Sequence, residues 1–384
     1  MKKLLGSIIF LILFSCSNIP KDFPENISEE LLIEKPQINY KLNSLPKDIN
    51  VIYFVDSESK KQFPDEVKGL LTNYYLFSKN NNYFPNIKFI NLSLENSCSL
   101  NINRTAYNFL FVLEKFKDKK SYKSCINRFI NRNTLLATNF NDISLPKASS
   151  RLVVDRNDDK FELLKLMDLF SSNTMVIDNE FTNDKYEIGD FWKKKFNKEI
   201  AEYKTFNKKE SSQDIFSNLL LIDQSLKRKR KLTRIMSRDL NHKSRTRQDI
   251  NGLFLSVNTQ EARSLKPALD YNYFEGMKVF LANDWKGNIQ FTKTDKDLEG
   301  VISIDIPFMI ATNLPKELKD VGRRTRSFAI GYDSFEIFLL LNGKSNLQKI
   351  TYKGLTGRVT FQNNIIKRES TIFRIKNGAY EFLN

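Results

Sequence analysis

The sequence predicts an α/β fold of two lobes, each a mostly parallel sheet flanked by helices. Short apolar runs rich in β-branched and aromatic residues, typical of strands buried on both faces, alternate with segments of helical spacing. Two successive rounds of this alternation favour parallel strands joined by crossover helices. A length of 384 residues and a hydrophobic fraction of 41% suffice for one large or two medium domains.

The first round of alternation predicts the elements of one lobe. Residues 49–56 form a continuous apolar run, so we expect a strand buried on both faces there. Residues 58–79 carry helical spacing and come before the next apolar run. Further strands are expected at 87–93, 107–114 and 134–140, with a second helix at 121–131.

The second round predicts a further set of strands and helices, and the tail of the chain has a different character. Beyond residue 351, period-two stretches are split by the turn dipeptides Asn363-Asn364 and Asn377-Gly378, which predicts antiparallel strands. Before that tail, strands are expected at 151–156, 174–181, 251–258, 277–283 and 300–310. The helices between them are expected at 161–170, 186–200, 213–240, 259–272 and 326–341.

The N-terminal residues 1–15 are predicted to be the signal peptide of an exported lipoprotein. Lys2 and Lys3 come before an apolar stretch of 11 residues, which is about half of what a membrane-spanning helix needs. The stretch ends in Ser15-Cys16 and resembles a bacterial lipobox, in which the cysteine is lipidated and becomes the new N-terminus. An ordinary signal peptide with a chance cysteine is the alternative.

Residues 16–48 are expected to form a tether between the lipid and the globular part, 49–384. Four of the ten prolines lie between Ser17 and Asp48, as is typical of a linker. Ser17, rather than an aspartate, follows the lipidated cysteine, which resembles a signal for delivery to the outer membrane. We therefore expect a lipid-anchored protein on the periplasmic side of the outer membrane, held there by acylated Cys16.

Cys98 and Cys125 are the two cysteines that remain once Cys16 is lipidated. In an oxidising periplasm they are candidates for a disulfide. The bridge would close a loop of 28 residues and contribute about 3 kcal/mol through the unfolded state. Two separate buried thiols are the alternative, because the sequence does not show whether the two Cα atoms come within bridging distance.

The positive charge of the chain is concentrated in one stretch. Removal of the signal peptide lowers the net charge from +16 to +14, because two lysines are lost. Residues 227–247 hold ten Lys or Arg and one acid, a local net charge of +9. Like charges repel, so a helix there needs counter-charges or the packing of its apolar residues, Leu226, Leu232 and Ile235.

Nine cations of this stretch form the candidate partner-binding surface. Its partner could be an anionic protein surface, a phosphate-bearing lipid head group or the carboxylates of a cell-wall peptide; a solvated helix without a partner is the alternative. Nucleic acid, the usual partner of such a run, is not expected outside the cytoplasm. The nine are Lys227, Arg228, Lys229, Arg230, Lys231, Arg234, Arg238, Arg245 and Arg247.

We predict a non-enzymatic protein without catalytic residues, cofactor or metal. Glycine-rich phosphate loops, a nucleophile elbow, zinc-protease and dithiol motifs are all missing from the sequence. His242 is the only imidazole and lies among cations that disfavour its charged form. Asp56 and Asp333 could bind a ligand at a sheet edge, yet Asp is also a common helix cap. Trp192 and Trp285 are explained more readily as core residues than as cleft residues.

Seven short motifs follow one another in the second half of the chain. They are Arg247-Gln248-Asp249-Ile250, Ala262-Arg263-Ser264-Leu265-Lys266-Pro267, Leu298-Glu299-Gly300-Val301, Asp305-Ile306-Pro307-Phe308, Ala329-Ile330-Gly331-Tyr332-Asp333-Ser334, Gly354-Leu355-Thr356-Gly357 and Ile366-Lys367-Arg368. Their order and spacing resemble the penicillin-binding protein activator family of outer-membrane lipoproteins, the LppC or LpoA family. The resemblance covers roughly 48–384.

The resemblance implies a fold similar to type 1 periplasmic binding proteins, in which two α/β lobes are joined by three crossings. This template places lobe one at about 49–145 and 306–345, and lobe two at about 146–305 and 346–384. Full-length relatives carry a helical-repeat domain before this part. The expectation here is that the domain is missing and that the tether stands in its place.

The resemblance also implies a regulator of peptidoglycan synthesis and cell-wall organisation. Such a protein activates a class A penicillin-binding protein by direct contact, and peptidoglycan is a further candidate partner. The alternative function is a lipid-anchored solute-binding receptor that binds a small ligand between its lobes. A saturable thermal shift with amino acids, amides or muropeptides would favour the receptor, because a ligand that binds only the folded state stabilises it.

The cysteine alternatives differ in the number of reactive thiols. If Cys98 and Cys125 are bridged, the exported protein in denaturant has no thiol that reacts with a colorimetric thiol reagent, and reduction releases both thiols. Two reactive thiols without reduction would contradict the disulfide.

Overall fold

The chain forms two compact units in the computed structural model. Unit 1 is made chiefly of Glu162–Ala282 and Gly300–Ile302, and unit 2 of Ser28–Phe161, Asn283–Glu299 and Ser303–Asn384. The lobe bounds implied by the family template stay a prediction. The residues that the structure describes are 27–28, 33–36, 39–54, 63–92, 106–113, 126–140, 150–179, 185–207, 209–239, 241, 246–272, 277–283, 285, 295–319, 321–343, 349–362 and 365–383.

Strands and helices alternate along most of the chain, as predicted. The strands are β1 Ile27–Ser28, β2 Asp48–Phe54, β3 Asn86–Leu92, β4 Tyr107–Val112, β5 Thr134–Thr138, β6 Ser150–Val153, β7 Thr174–Asn179, β8 Glu202–Phe206, β9 Gly252–Ser256, β10 Lys278–Leu281, β11 Ile302–Asp305, β12 Ile350–Lys353, β13 Arg358–Gln362, β14 Ile365–Glu369, β15 Thr371–Lys376 and β16 Ala379–Leu383. The α-helices are α1 Asp65–Asn81, α2 Arg156–Phe170, α3 Lys185–Phe196, α4 Ser212–Leu219, α5 Ile222–Met236, α6 Thr259–Tyr271, α7 Pro307–Ile310, α8 Lys316–Lys319 and α9 Arg326–Gly343.

Unit 2 contains a parallel five-stranded sheet with the strand order β3-β2-β4-β5-β6. Successive side chains point to opposite faces of a strand. Val51 and Phe109 accordingly pack into the core formed with α1 and α9, whereas Ile52 and Leu110 pack with Phe129 in a second cluster. The prediction of parallel pairing is confirmed, and so is that of a strand buried on both faces over residues 49–53; residues 55 and 56 lie outside the described residues.

Helix α9 is the most buried helix of unit 2, with 14 of its 18 residues buried. Helix α1 packs against it at two glycines. A Cβ atom on Gly69 would lie 2.0 Å from the carbonyl oxygen of Phe328, and one on Gly331 would lie 1.8 Å from the carbonyl oxygen of Glu66. No side chain larger than hydrogen fits at either position, so the two helix backbones are in direct contact.

Asp333 of α9 holds the loop that follows β12. Its carboxylate accepts hydrogen bonds from the backbone N–H of Leu355 at 3.0 Å and of Thr356 at 2.7 Å, and from the Thr356 hydroxyl at 2.6 Å. Burial raises the pKa of Asp333 to about 6, although these three donors act to lower the pKa. A Cβ atom on Gly354 would lie 2.5 Å from the carboxylate. Asp333 therefore has a structural role, and its candidacy as a ligand residue is not supported.

The tail is antiparallel, as predicted. β12, β13 and β14 pair in sequence order, and β15 pairs with β16. Asn377 and Gly378 join β15 to β16 with φ angles of 51° and 71°. Positive φ at both positions is what a tight two-residue hairpin requires, and Asn-Gly is the sequence best suited to it. The other predicted turn, Asn363-Asn364, lies outside the described residues.

Unit 1 contains parallel strands in the order β8-β7-β9-β10. β7 and β9 are buried along their full length, as their apolar sequences predict. β8 was not predicted, because only Phe206 of its five residues is fully buried and charged Glu202 and Lys204 interrupt the apolar pattern.

Two further elements differ from the sequence prediction. The segment 213–240 was predicted as one helical stretch, but it forms α4 and α5, which are separated at Leu221 by a left-handed backbone with φ of 59°. The segment 300–310 was predicted as one strand, but β11 is followed by the short helix α7. Pro307 is the first residue of α7, where proline has no N–H to lose and its fixed φ suits the helix.

Part of the predicted tether packs against unit 2. The Tyr40 hydroxyl donates to Glu336 at 2.6 Å, the Lys41 backbone N–H donates to the Gly343 carbonyl at 2.8 Å, and the Ser44 hydroxyl donates to the Asn342 carbonyl at 2.6 Å. Leu45 belongs to the buried core. Residues 39–47 are therefore bound to the C-terminal end of α9.

Substitution of Gly331 by alanine tests the contact between α1 and α9. The added methyl group would overlap the Glu66 carbonyl, so we expect Gly331→Ala to lower the free energy of unfolding by about 1–3 kcal/mol or more. Gly189→Ala in α3 is the matched control, because nothing lies within 4 Å of its Cβ position. The control should be neutral or more stable by up to about 1 kcal/mol. Urea unfolding curves of the soluble form, which begins at Ser17 and lacks the lipidated cysteine, give both values. An unchanged unfolding midpoint of Gly331→Ala would contradict the contact.

Substitution of Asp333 by asparagine tests the loop attachment. An amide nitrogen would replace one acceptor oxygen and face a donor, so we expect a loss of about 1–3 kcal/mol at pH 7.5. The carboxyl pKa is raised to about 6 in the folded state, above the value near 3.9 that an unfolded chain has. The contribution of Asp333 to stability therefore falls as pH rises from about 4 to about 6 and is constant above. Asp333→Asn should lack this pH-dependent contribution to stability. If the free energy of unfolding of the variant and of the wild type changed with pH in the same way, the raised pKa of Asp333 would be contradicted.

Candidate partner-binding site

Helix α5 contains the first half of the basic stretch. Because Leu221 is left-handed, α4 cannot continue and a new helix begins at Ile222, the residue of α5 that is buried. The helix ends at Met236, and Ser237 is again left-handed with φ of 48°. The stretch thus begins with a separate helix of 15 residues in unit 1.

All but one of the cations of α5 are exposed to solvent. Arg230 and Arg234 are exposed, and Lys229 is half-buried. Within the part of the chain that the structure describes, none of the seven candidate cations from 227 to 238 forms an ion pair. The remaining exposed members are Lys227, Arg228, Lys231 and Arg238.

The predicted packing of Leu226, Leu232 and Ile235 is wrong. Their exposed fractions are 36%, 49% and 69%. The helix packs on unit 1 through Ile222 and the half-buried line that follows it at helical spacing, Ser225, Lys229 and Thr233. Leu232 and Ile235 lie to one side of this line, and Leu226, four residues after Ile222, lies at its other edge, so all three are at the surface. Met236, the last residue of the helix, is also exposed, at 52%.

Arg247 does not belong to this exposed surface. Its guanidinium forms a bidentate pair with Asp249, at 2.8 and 2.6 Å, and a third bond to Glu202 at 2.8 Å. The hydrogen bonds to Asp249, followed by the one to Glu202, raise the pKa of Arg247, and the hydrogen bonds from Arg247 lower the pKa of Asp249. The Arg247 backbone N–H also donates to the Leu220 carbonyl at 3.1 Å. Arg247 therefore holds the chain near the start of α5.

Several predicted residues lie outside the described residues. They are Cys16, Asp56, Cys98, Cys125, His242 and Arg245. The lipidation site and the disulfide alternatives therefore stay predictions. Both tryptophans are described, and the core interpretation is confirmed: Trp192 is 1% exposed and Trp285 is 3% exposed.

Trp285 belongs to a set of buried residues in unit 2 that are connected by hydrogen bonds. Its indole N–H donates to the Ser303 hydroxyl at 2.8 Å, and its backbone N–H donates to Asp305 at 3.2 Å. Arg326 donates to both carboxylate oxygens of Asp305 at 2.6 Å. Burial raises the pKa of Asp305 to about 6, against the opposing effect of Arg326. Because these groups satisfy one another, we interpret them as structural.

A cavity of about 310 Å³ in unit 2 is a second place where polar groups converge. Lys35 donates to Asn73 at 2.7 Å and its ammonium lies 5.3 Å from the centre of the Tyr332 ring. Glu336 accepts from Tyr40 and from Asn73. The cavity is bordered by two aromatic rings, Tyr332 and Tyr352. Its volume would hold a small ligand, yet most of these polar groups already have partners within unit 2.

Among the described residues, no group of three or more His, Cys, Asp or Glu side chains is arranged to hold a metal ion. The helices of the described part are all too short or too polar to cross a bilayer.

The LppC family, described as "LppC putative lipoprotein", matches residues 187–378, which is half of the chain. No curated protein matches significantly. Full-length LpoA from Haemophilus influenzae has a TM-score of 0.56 at 14% identity, over 91% of this chain and 60% of that one. Its C-domain, titled a regulator of PBP1A, has a TM-score of 0.54 at 14% identity, over 88% of this chain and 100% of that domain.

A third similar structure is a "putative branched-chain amino acid ABC transporter" from Chromobacterium violaceum ATCC 12472. It has a TM-score of 0.53 at 14% identity, over 85% of this chain and 98% of that one. Identities this low show the fold alone, and the fold is the type 1 periplasmic-binding-protein-like α/β fold that the sequence predicts. This chain spans less than two thirds of full-length LpoA. Because the family match extends over half of its residues, the chain belongs to the LppC family of lipoproteins.

Proposed function

We propose that this chain is an outer-membrane lipoprotein that activates a class A penicillin-binding protein by direct contact. The observation that carries the proposal is the LppC family match over residues 187–378. It is supported by the similarity of 88% of this chain to the LpoA C-domain from Haemophilus influenzae, which is itself a regulator of PBP1A. The contribution is non-enzymatic: the chain would alter the activity of the synthase and carry out no chemistry of its own.

The anchor is part of this proposal. Lipidated Cys16 would hold the chain at the inner face of the outer membrane, so that units 1 and 2 face the cell wall. Strand β1 begins at Ile27, so the part of the predicted tether before the described residues is Ser17–Asn26. Ten extended residues span at most about 35 Å. Peptidoglycan stays a proposed additional partner.

The exposed cations of α5 and Arg238 are the proposed partner-binding surface. They carry six positive charges, or seven with the half-buried Lys229, and form no ion pair within the described residues. Charge of one sign concentrated on one surface accelerates association with a partner of opposite charge and makes it depend on salt. Arg247 is left out of the proposed surface, because its three hydrogen bonds to carboxylates already satisfy it.

A solute receptor is the second candidate function. The fold similarity to the amino acid transporter protein favours it, and so does the cavity of about 310 Å³ in unit 2. A receptor and an activator respond differently to small ligands. Saturable stabilisation of the soluble form by amino acids, amides or muropeptides, without any effect on a synthase, would favour the receptor.

The activator proposal predicts a salt-dependent stimulation. The soluble form that begins at Ser17 is mixed with each class A penicillin-binding protein of the same organism, and lipid II polymerisation and peptide cross-linking are measured. We expect stimulation at about 50 mM salt that weakens at about 300 mM, where charges are screened beyond a few ångströms. The absence of both binding and stimulation with every class A synthase would reject the activator.

The four-fold variant K227S/R228S/R230S/R234S, which removes exposed cations of α5, should lose most of the stimulation at low salt. The matched control is K193S/K194S on α3, whose two lysines are exposed and form only long surface ion pairs. Equal stimulation by the four-fold variant and the wild type would exclude the cations of α5 as the contact.

A further inference from the structure

Helix α5 exposes apolar side chains as well as cations, and most of the cations lie on the other side of the helix. Successive residues of an α-helix are about 100° apart around its axis. Leu232, Ile235 and Met236 therefore fall within one arc of about 100°, while Arg230 and Arg234 lie on roughly the opposite side. The apolar arc adjoins the side that packs on unit 1, and all three of its residues are about half exposed or more, at 49%, 69% and 52%.

One cation lies within the apolar arc. Arg228 comes four residues before Leu232 and seven before Ile235, so the three side chains form a single row along the helix. Lys231 borders the row, four residues before Ile235. These side chains are exposed. A surface that accepts this row must combine an apolar floor with an acidic group placed for a guanidinium.

We propose that the row Arg228, Leu232 and Ile235, with Met236, inserts into an apolar groove of the partner protein whose rim carries a carboxylate for Arg228. This rests on the proposed function and names the partner chemistry of the same site. Helix-in-groove recognition uses apolar anchors at such spacings. Guanidinium pairs with carboxylate in a bidentate geometry, which gives the contact a direction. Arg230 and Arg234, which point away from the row, attract the partner without touching the groove.

The alternative occupant of this face is an anionic bilayer, and the composition of α5 disfavours it. Helices that lie in a membrane interface bury an uninterrupted apolar face, often with Trp or Phe, and keep their cations at its edges. Helix α5 contains no aromatic residue, and its apolar arc is interrupted by Arg228. A protein groove with an acidic rim accommodates that arginine, whereas the acyl region of a bilayer does not.

Variants of the apolar row and variants of the opposite cations should change different rate constants of binding. L232S/I235S removes the anchors and should weaken binding of the soluble form to the class A synthase by about tenfold or more at both low and high salt, through faster dissociation. R230S/R234S should slow association severalfold at low salt only and leave dissociation unchanged. Biolayer interferometry with each synthase immobilised gives both rates, and lipid II polymerisation is measured in parallel.

Two control variants and a vesicle-binding experiment distinguish a protein partner from a lipid partner. Leu169→Ser with Tyr186→Ser removes two exposed apolar side chains elsewhere in unit 1, and K193S/K194S removes two exposed charges; neither should change binding. Unfolding midpoints verify that every variant is folded. The lipid arm is sedimentation with vesicles of phosphatidylglycerol and phosphatidylethanolamine.

Each remaining outcome has one meaning. If the wild type binds and stimulates a synthase and L232S/I235S does so equally, the groove inference is overturned and the proposed function stands. If L232S/I235S loses only vesicle binding, the occupant is a bilayer and the inference is overturned as well. If no class A synthase binds the wild type, the proposed function fails, and the groove inference fails with it.

Discussion

The direct contact between the backbones of α1 and α9 is the constraint on which unit 2 depends. Two glycines make it possible, because any Cβ atom at Gly69 or Gly331 would overlap a carbonyl oxygen of the other helix. Helix α9 is consequently buried over nearly its whole length and packs on the five-stranded sheet together with α1. A close contact of this kind leaves little tolerance, since protein interiors are packed at crystal density and cannot absorb a displaced helix.

Other parts of unit 2 are attached to the helix that this contact positions. Asp333 binds the loop at Leu355 and Thr356, and Arg368 from β14 donates to the Thr356 carbonyl at 3.0 Å and to Asp159 at 2.6 Å. The segment at residues 39–47 is bound at the end of the same helix. Three of the family motifs therefore meet in one hydrogen-bonded network. Their role in this structure is to hold the fold, which explains why they contain polar residues that are not part of any exposed site.

Unit 1 contains two kinds of cation: Arg247, which is paired with carboxylates and holds the fold, and the solvated cations of α5, which can bind a partner. Arg247 has carboxylate partners on two sides and is largely buried, at 16% side-chain exposure. The cations of α5 are solvated and make no ion pair among the described residues. Removing the guanidinium of Arg247 would strand two carboxylates and disturb the chain near α5, whereas removing a solvated lysine changes mainly the long-range field. This difference is why the proposed partner surface is confined to α5 and Arg238.

The amino-acid sequence by itself determined the class of fold, the parallel strands buried on both faces, the hairpin at Asn377-Gly378 and the place of the basic stretch. Each of these follows from spacing along the chain or from the conformational preference of a few adjacent residues. Only the tertiary structure decided that Arg247 is paired, that Leu232 and Ile235 are exposed, and that residues 39–47 are bound to α9. The physical reason is that a side chain's partners are brought to it from distant parts of the chain: Glu202 lies 45 residues before Arg247, and Glu336 lies 296 residues after Tyr40. Local pattern specifies which elements form, but burial and charge pairing depend on which elements then meet.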